Sequence, residues 1–193
     1  MPRTKSFDVD EALERAVELF WLNGFAATSM EDLVQHLGIN RGSLYATFGS
    51  KEQLYERALN RYREQSVEWF NQLMDHDDRP LRHRVESLLM SSVVSENDWG
   101  CLMVNAAAER NAVHEGTKAI TKCAVDDIRA KLIERLTGES LAIEPTEVAA
   151  DYLIVTMQGL KVMSTMDIDP ATLARVVDTA IDTVFGADQL GAE

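Results

Sequence analysis

Residues 37–55 read LGINRGSLYATFGSKEQLY, and the fold follows from how this stretch is parsed. Gly38 is a helix stop, because only a residue without a Cβ ends a helix in the left-handed region at no steric cost. Ile39 and Asn40 complete a tight turn. Residues 41–48 then form a short helix with Leu44 and Phe48 one turn apart on its inner side. Ser50-Lys-Glu-Gln53 pairs a hydroxyl with an amide three positions later, the reciprocal arrangement that caps a helix start, so a second and longer helix opens here. The outer face of the short helix carries Arg41, Gly42, Ser43, Tyr45, Ala46 and Thr47, with small residues near the axis and long polar ones at the edges.

Upstream, Leu13, Ala16, Val17, Phe20 and Trp21 recur at helical spacing until Gly24. Thr28-Ser-Met-Glu31 is expected to act as a capping box for a helix whose buried stripe is Met30, Leu33, Val34 and Leu37. Two short helices joined by a glycine-containing turn form a helix-turn-helix, whose second helix enters the DNA major groove. Its small residues allow close approach of the backbone. Arg41, Ser43, Tyr45 and Thr47 can then reach phosphates or base edges. Thr28 and Lys51, placed in the first turns of the flanking helices, are expected to clamp phosphate there. The same pattern also suits a three-helix packing unit that binds no DNA.

Charge is unevenly divided. The 193 residues carry a net −13, but residues 1–63 hold 8 Lys+Arg against 9 Asp+Glu, whereas the remainder hold 11 against 23. Arg41, Lys51, Arg57, Arg61 and Arg63, with Arg3 and Lys5, offer a locally basic face on an acidic body. Screening confines such a field to about 10 Å at ordinary salt, so the distant acid does not cancel it.

The segment 8–55, with its TSMEDLVQHLGINRGSLYATFGSKEQLY core, resembles the amino-terminal domain of the TetR (tetracycline repressor) family of bacterial transcriptional regulators. The usual family core runs close to G-V-S-R-G-S-L-Y-H-Y-F-P-S-K-E-x-L. Gly38, Arg41, Gly42, Ser43, Leu44, Tyr45, Phe48, Ser50, Lys51, Glu52 and Leu54 match it, whereas Ala46, Thr47 and Gly49 depart. Thr47 replaces a tyrosine and so removes one phosphate contact. The resemblance implies DNA contacts at Thr28, Arg41, Gly42, Ser43, Tyr45 and Lys51, and a homodimer on an inverted-repeat operator.

Beyond residue 55 the chain reads as helix throughout, about nine in total. The expected architecture is all-α, with a DNA-binding domain over 1–52 and a larger ligand-binding and dimerisation domain over 53–193. Leu54, Ala58, Tyr62, Trp69 and Leu73 mark one side of the long helix, and Val85, Leu88, Leu89 and Val93 line the next. Asp75-His-Asp-Asp-Arg-Pro80 is a solvated loop, not a metal site, because consecutive side chains do not converge on one ion. Pro145 and Asp169-Pro170 start the last two helices. Their apolar circumference, with small residues Ala149, Ala150, Gly159, Ala174 and Ala180, fits an intersubunit four-helix bundle, the alternative being an ordinary hairpin within one chain.

Cys101, after Asn97, Asp98 and Gly100, is expected in the first turn of a helix, where a thiol can become a reactive thiolate. Its Gly-Cys-Leu context is similar to that of a branch of the family with members responsive to electrophiles or oxidants. The competing reading is a small buried hydrophobe beside Trp99. Trp69, Trp99, Met103 and Met157, with Met90, Met163 and Met166, could line an adaptable effector pocket or simply be core.

Enzyme chemistry finds no support: the four histidines (His36, His76, His83, His114) are scattered, and neither a metalloprotease, a nucleophile-elbow nor a phosphate-loop motif occurs. No cofactor is expected. No apolar run reaches the roughly 18 residues needed for a bilayer span, and the start of the chain lacks an apolar signal core, so a cytoplasmic protein is expected. The function expected is a repressor released from its operator by a small molecule or by modification of Cys101. The alternative is a helical adaptor that binds protein partners without specific DNA binding.

Overall fold

A computed structural model describes residues 7–75, 78–94, 99–109, 115–166 and 168–187. Arg3, Lys5, His76, Asp77, Asn97, Asp98 and His114, all singled out above, lie outside the described residues. Among the described residues the chain is all-α, with nine helices: α1 Val9–Ala27, α2 Met30–Leu37, α3 Arg41–Phe48, α4 Lys51–Asp75, α5 Leu81–Met90, α6 Leu102–Ala108, α7 Glu115–Leu136, α8 Thr146–Ser164 and α9 Pro170–Phe185. They form two compact units, one of Met1–Gln65 with Leu102–Cys123, the other of Ser66–Cys101 with Ala124–Glu193.

In the first unit, Asp8 caps α1 by accepting from the N–H groups of Asp10 and Glu11. Ala16, Val17 and Phe20 are buried as the spacing predicts, joined by Ala12 and Leu19. An aromatic cluster ties α1 to α4: Phe20 meets Tyr55 edge-on at 4.9 Å, Phe25 lies 4.9 Å from Tyr55, and Trp21 meets Tyr62 at 4.9 Å. Such pairs add about 0.5–1.5 kcal/mol each beyond the area they bury. Gly24 does not end α1 outright. Its backbone turns to φ 75°, ψ 171°, and a further helical turn follows before Thr28.

In the second unit, α5, α8 and α9 pack on one another around a core that also takes Phe70 and Met74 from α4 and Leu132 and Leu136 from α7. Asp169 caps α9 by accepting from the Ala171 N–H, with Pro170 at the first helical position, as expected. Two sequence readings are corrected here. Trp69 is 41% exposed, because over so long a helix the inward stripe drifts off the assumed line and falls on Phe70 and Met74. Ala149, Ala150 and Ala180 are fully buried within this core, so they serve packing inside the chain; Gly159 is exposed and Ala174 half-buried. No helix among the described residues is long and apolar enough to cross a membrane.

Candidate nucleic-acid interface

The site begins with three local caps. Ser29, not Thr28, is the N-cap of α2: its Oγ accepts from the Asp32 N–H at 3.1 Å, while Asp32 accepts from the Ser29 N–H at 2.8 Å. The capping box is therefore displaced by one residue from the expected Thr28/Glu31 frame. The Ser29 hydroxyl also donates to the Asp32 carboxylate at 2.7 Å, and this bond, followed by that from the Ser29 N–H, holds the Asp32 carboxyl below its ordinary pKa. Gly38 ends α2 in the left-handed region at φ 67°, ψ 25°. Asn40, read from sequence only as a turn residue, caps α3, its Oδ1 accepting from the Ser43 N–H at 2.9 Å. Asparagine is among the best N-caps, so its place directly before α3 is itself a start signal. Ser50 and Gln53 form the reciprocal pair that opens α4, at 3.0 and 3.2 Å.

Helix α3 is sharply two-sided. Leu44 and Phe48 are buried. On the other side Arg41, Gly42, Tyr45 and Ala46 are exposed, and Ser43 and Thr47 half-exposed. Tyr45 presents 44% of its surface, and the Arg41 guanidinium lies 5.8 Å from its ring centroid, within cation–π range. Arg57, reaching from α4, donates to the Thr47 carbonyl at 3.3 Å and lies 5.7 Å from the Phe48 ring. The structure thus brings Arg41, Gly42, Ser43, Tyr45 and Thr47 together on one short helix.

Thr28 and Lys51 stand differently. Thr28 is fully buried, and its hydroxyl donates to the Gly24 carbonyl at 2.7 Å. Lys51 is half-buried and donates to the carbonyls of Phe25 at 2.9 Å and Thr28 at 2.7 Å, with its ammonium 4.1 Å above the Phe25 ring centroid. Two of its three donors are so engaged. Arg61, counted above in the basic face, pairs with Asp10 at 2.7 Å and Glu14 at 3.6 Å. A carboxylate that sequence reading missed completes the region: Glu109, just beyond α6, accepts from the N–H groups of Phe25 at 3.1 Å and Ala26 at 3.4 Å. Nothing local in the sequence announces a partner 84 residues away.

The candidate effector residues do not share one setting. Cys101 is buried and precedes the first residue of α6, whereas Cys123 is exposed. Met157 is part of the core of the second unit, Met103 is buried in the first, and Trp99 is half-exposed.

Residues 12–58 match the family of bacterial regulatory proteins called tetR. The chain aligns along 93% of its length with the whole of a solved chain from Rhodococcus sp. RHA1 described as a TetR transcriptional regulator, at 30% identity and a TM-score of 0.57. The chain belongs to the TetR family. It is also similar to a cysteine mutant of the TetR regulator CifR, solved with 26-base-pair double-strand operator DNA, at 26% identity over 94% of this chain and 99% of that one, with a TM-score of 0.73. The Escherichia coli (strain K12) repressor ComR is 48% identical over 60 residues, 31% of this chain. That match spans 29% of ComR's own length. The TetR fold, with its amino-terminal helix-turn-helix, is the all-α architecture expected from the sequence.

Proposed function

We propose that this TetR-family chain is a homodimeric repressor that binds an inverted-repeat operator through α3 and is released by an effector acting on its second unit. The observation that carries the DNA reading is the two-sided α3, whose exposed face is small at the axis and cationic or hydroxylated at the edges. Arg41 suits bidentate contact with a guanine edge, and Ser43, Tyr45 and Thr47 suit phosphates. Gly42 lets the backbone come close. Thr28 and Lys51 contribute by fixing the backbone at the start of α2 and α4, with one Lys51 donor left to face phosphate. The operator-bound CifR chain supports this reading by likeness.

The dimer reading has its own support. On α8, Val148, Val155 and Val162 recur every seven residues, and all three are exposed, Val155 at 72%. Met163 and Met166 extend this apolar strip, and Val176 is 45% exposed on α9. A soluble monomer gains nothing from such a strip, whereas a second copy would cover it. Two half-site readers joined this way contact twice the DNA of one.

Release follows from linkage: an effector that favours a spacing of the two α3 helices unsuited to DNA weakens operator binding by its own differential affinity. Cys101, immediately before the first residue of α6, is the candidate for covalent control. A gel-shift titration against the DNA upstream of the protein's own gene tests the scheme. Wild type should retard one fragment selectively, and Tyr45→Ala should weaken that binding about tenfold, or ~1.4 kcal/mol. Diamide should release the fragment from wild type and not from Cys101→Ser. Binding equal for all fragments and for both proteins would return the helical adaptor as the better account.

A further inference from the structure

The break in α1 leaves a specific problem at its far side. Gly24 is out of helical geometry, and the N–H groups that open a restarted turn look outside it for acceptors. Glu109 supplies both acceptors, Oε2 to Phe25 and Oε1 to Ala26. The carbonyl side of the same turn is fastened by Thr28 on Gly24 and by Lys51 on Phe25 and Thr28. Gly24 fits this junction. Its φ of 75° disfavours any side chain, and a Cβ there would lie 2.3 Å from Glu109 Oε1. Thr28 and Lys51 belong to the helix-turn-helix segment itself, but Glu109 comes from beyond α6, in the part of the first unit that lies outside residues 12–58.

We infer that α6 is part of the operator-reading unit, with Glu109 the positioning residue that fixes the α1–α2 junction and, through it, the pose of α2 and α3. This rests on the DNA reading proposed above. The junction leads directly into Ser29, the cap of α2, so a shift of Phe25 and Ala26 moves the start of the helix that carries α3. Glu109 also lies near enough to Tyr55 to reinforce the upward pKa shift that burial imposes on that phenol, and as a charged acceptor it makes stronger hydrogen bonds than a neutral one. Sequence-independent attraction to phosphate needs no fixed pose, whereas base contacts do. Loss of the Glu109 bonds therefore costs selectivity first.

The test uses the full-length chain, wild type beside Glu109→Ala and Glu109→Gln, on the upstream fragment and on an unrelated duplex. The expected result is about a tenfold loss of affinity for the selected fragment in Glu109→Ala and a smaller loss in Glu109→Gln, which keeps one acceptor, with the unrelated duplex bound equally by all three. Hydrogen exchange adds a reading that mere stability would not alter: operator DNA should slow exchange along α6 in wild type, and that slowing should vanish in Glu109→Ala and shrink in Glu109→Gln. Should Glu109→Ala fail to fold, Glu109→Gln carries the comparison. Variants that exchange faster at Phe25 and Ala26 yet bind the selected fragment like wild type would overturn the inference and leave Glu109 a structural residue. A wild type with no selective binding is a different pattern, which sinks the DNA reading and this inference with it.

Discussion

Helices α3 and α8 both bury one face, yet what they leave outside is opposite in kind. The outer side of α3 offers Arg41, Gly42, Tyr45 and Ala46, whereas that of α8 offers Val148, Val155 and Val162. A small, cationic surface suits a hydrated polyanion approached closely, because its charges keep their solvation until phosphate replaces it. An apolar strip suits another protein surface, where removal of water is itself the driving force at about 25 cal/mol per Å². The difference teaches that two helices of one chain can be assigned different partners from exposure and chemistry together, when burial alone would treat them alike.

The largest effect should come from the hidden side of α3. Phe48 is buried beneath the recognition face and meets the Arg57 guanidinium at 5.7 Å. Phe48→Ala should cost about 3–5 kcal/mol through lost transfer energy and the cavity left behind. Denaturant unfolding checks this. A loss under 1 kcal/mol would mean that α3 is not anchored as described, and the contrast between its two faces would lose its basis.

On α8 the sharper substitution is on the outside. Val155→Glu places carboxylates in the strip that a second copy is proposed to cover, and an unpaired buried charge costs several kcal/mol. The dimer should dissociate at least about 100-fold more readily, read by sedimentation or light scattering, while secondary structure is kept because Val155 is 72% exposed in the single chain. An unchanged dimer would show that α8 is covered by something else or by nothing.

How much of this was legible in advance varied with the range of the interaction. Gly38, the Ser50/Gln53 pair and Asp169-Pro170 are local devices, complete within a few residues, and the structure uses each as read. Leu44 and Phe48 declared the inner side of α3 by spacing alone. Two overlapping frames, Thr28 to Glu31 and Ser29 to Asp32, could not be told apart by pattern, and tertiary burial of Thr28 decided between them. Small residues on α8 and α9 fit either side of a helix, and the burial of Ala149, Ala150 and Ala180 in the core is a property of the packed unit. Glu109 was beyond reach, since its role depends on a backbone break at Gly24 and on a chain reversal that brings α6 to α1.

The smallest effect probes that same choice of frame. Ser29→Ala removes the N-cap hydroxyl of α2 and should cost about 1 kcal/mol, whereas capping through Thr28 would leave it nearly silent. The pH dependence separates the two further. The Ser29 hydroxyl is the largest cause that holds the Asp32 carboxyl below its ordinary value of 3.8, and a carboxylate lowered by folding stabilises the fold above that value. This contribution is lost as pH falls from 3.8 through the lower folded value, so wild type should lose stability there faster than Ser29→Ala. The gap between them, measured by thermal unfolding from pH 7 down to about pH 3, should narrow at the acid end. A gap that stayed constant with pH would place the cost in packing alone and remove the reciprocal bond from the account of how α2 starts.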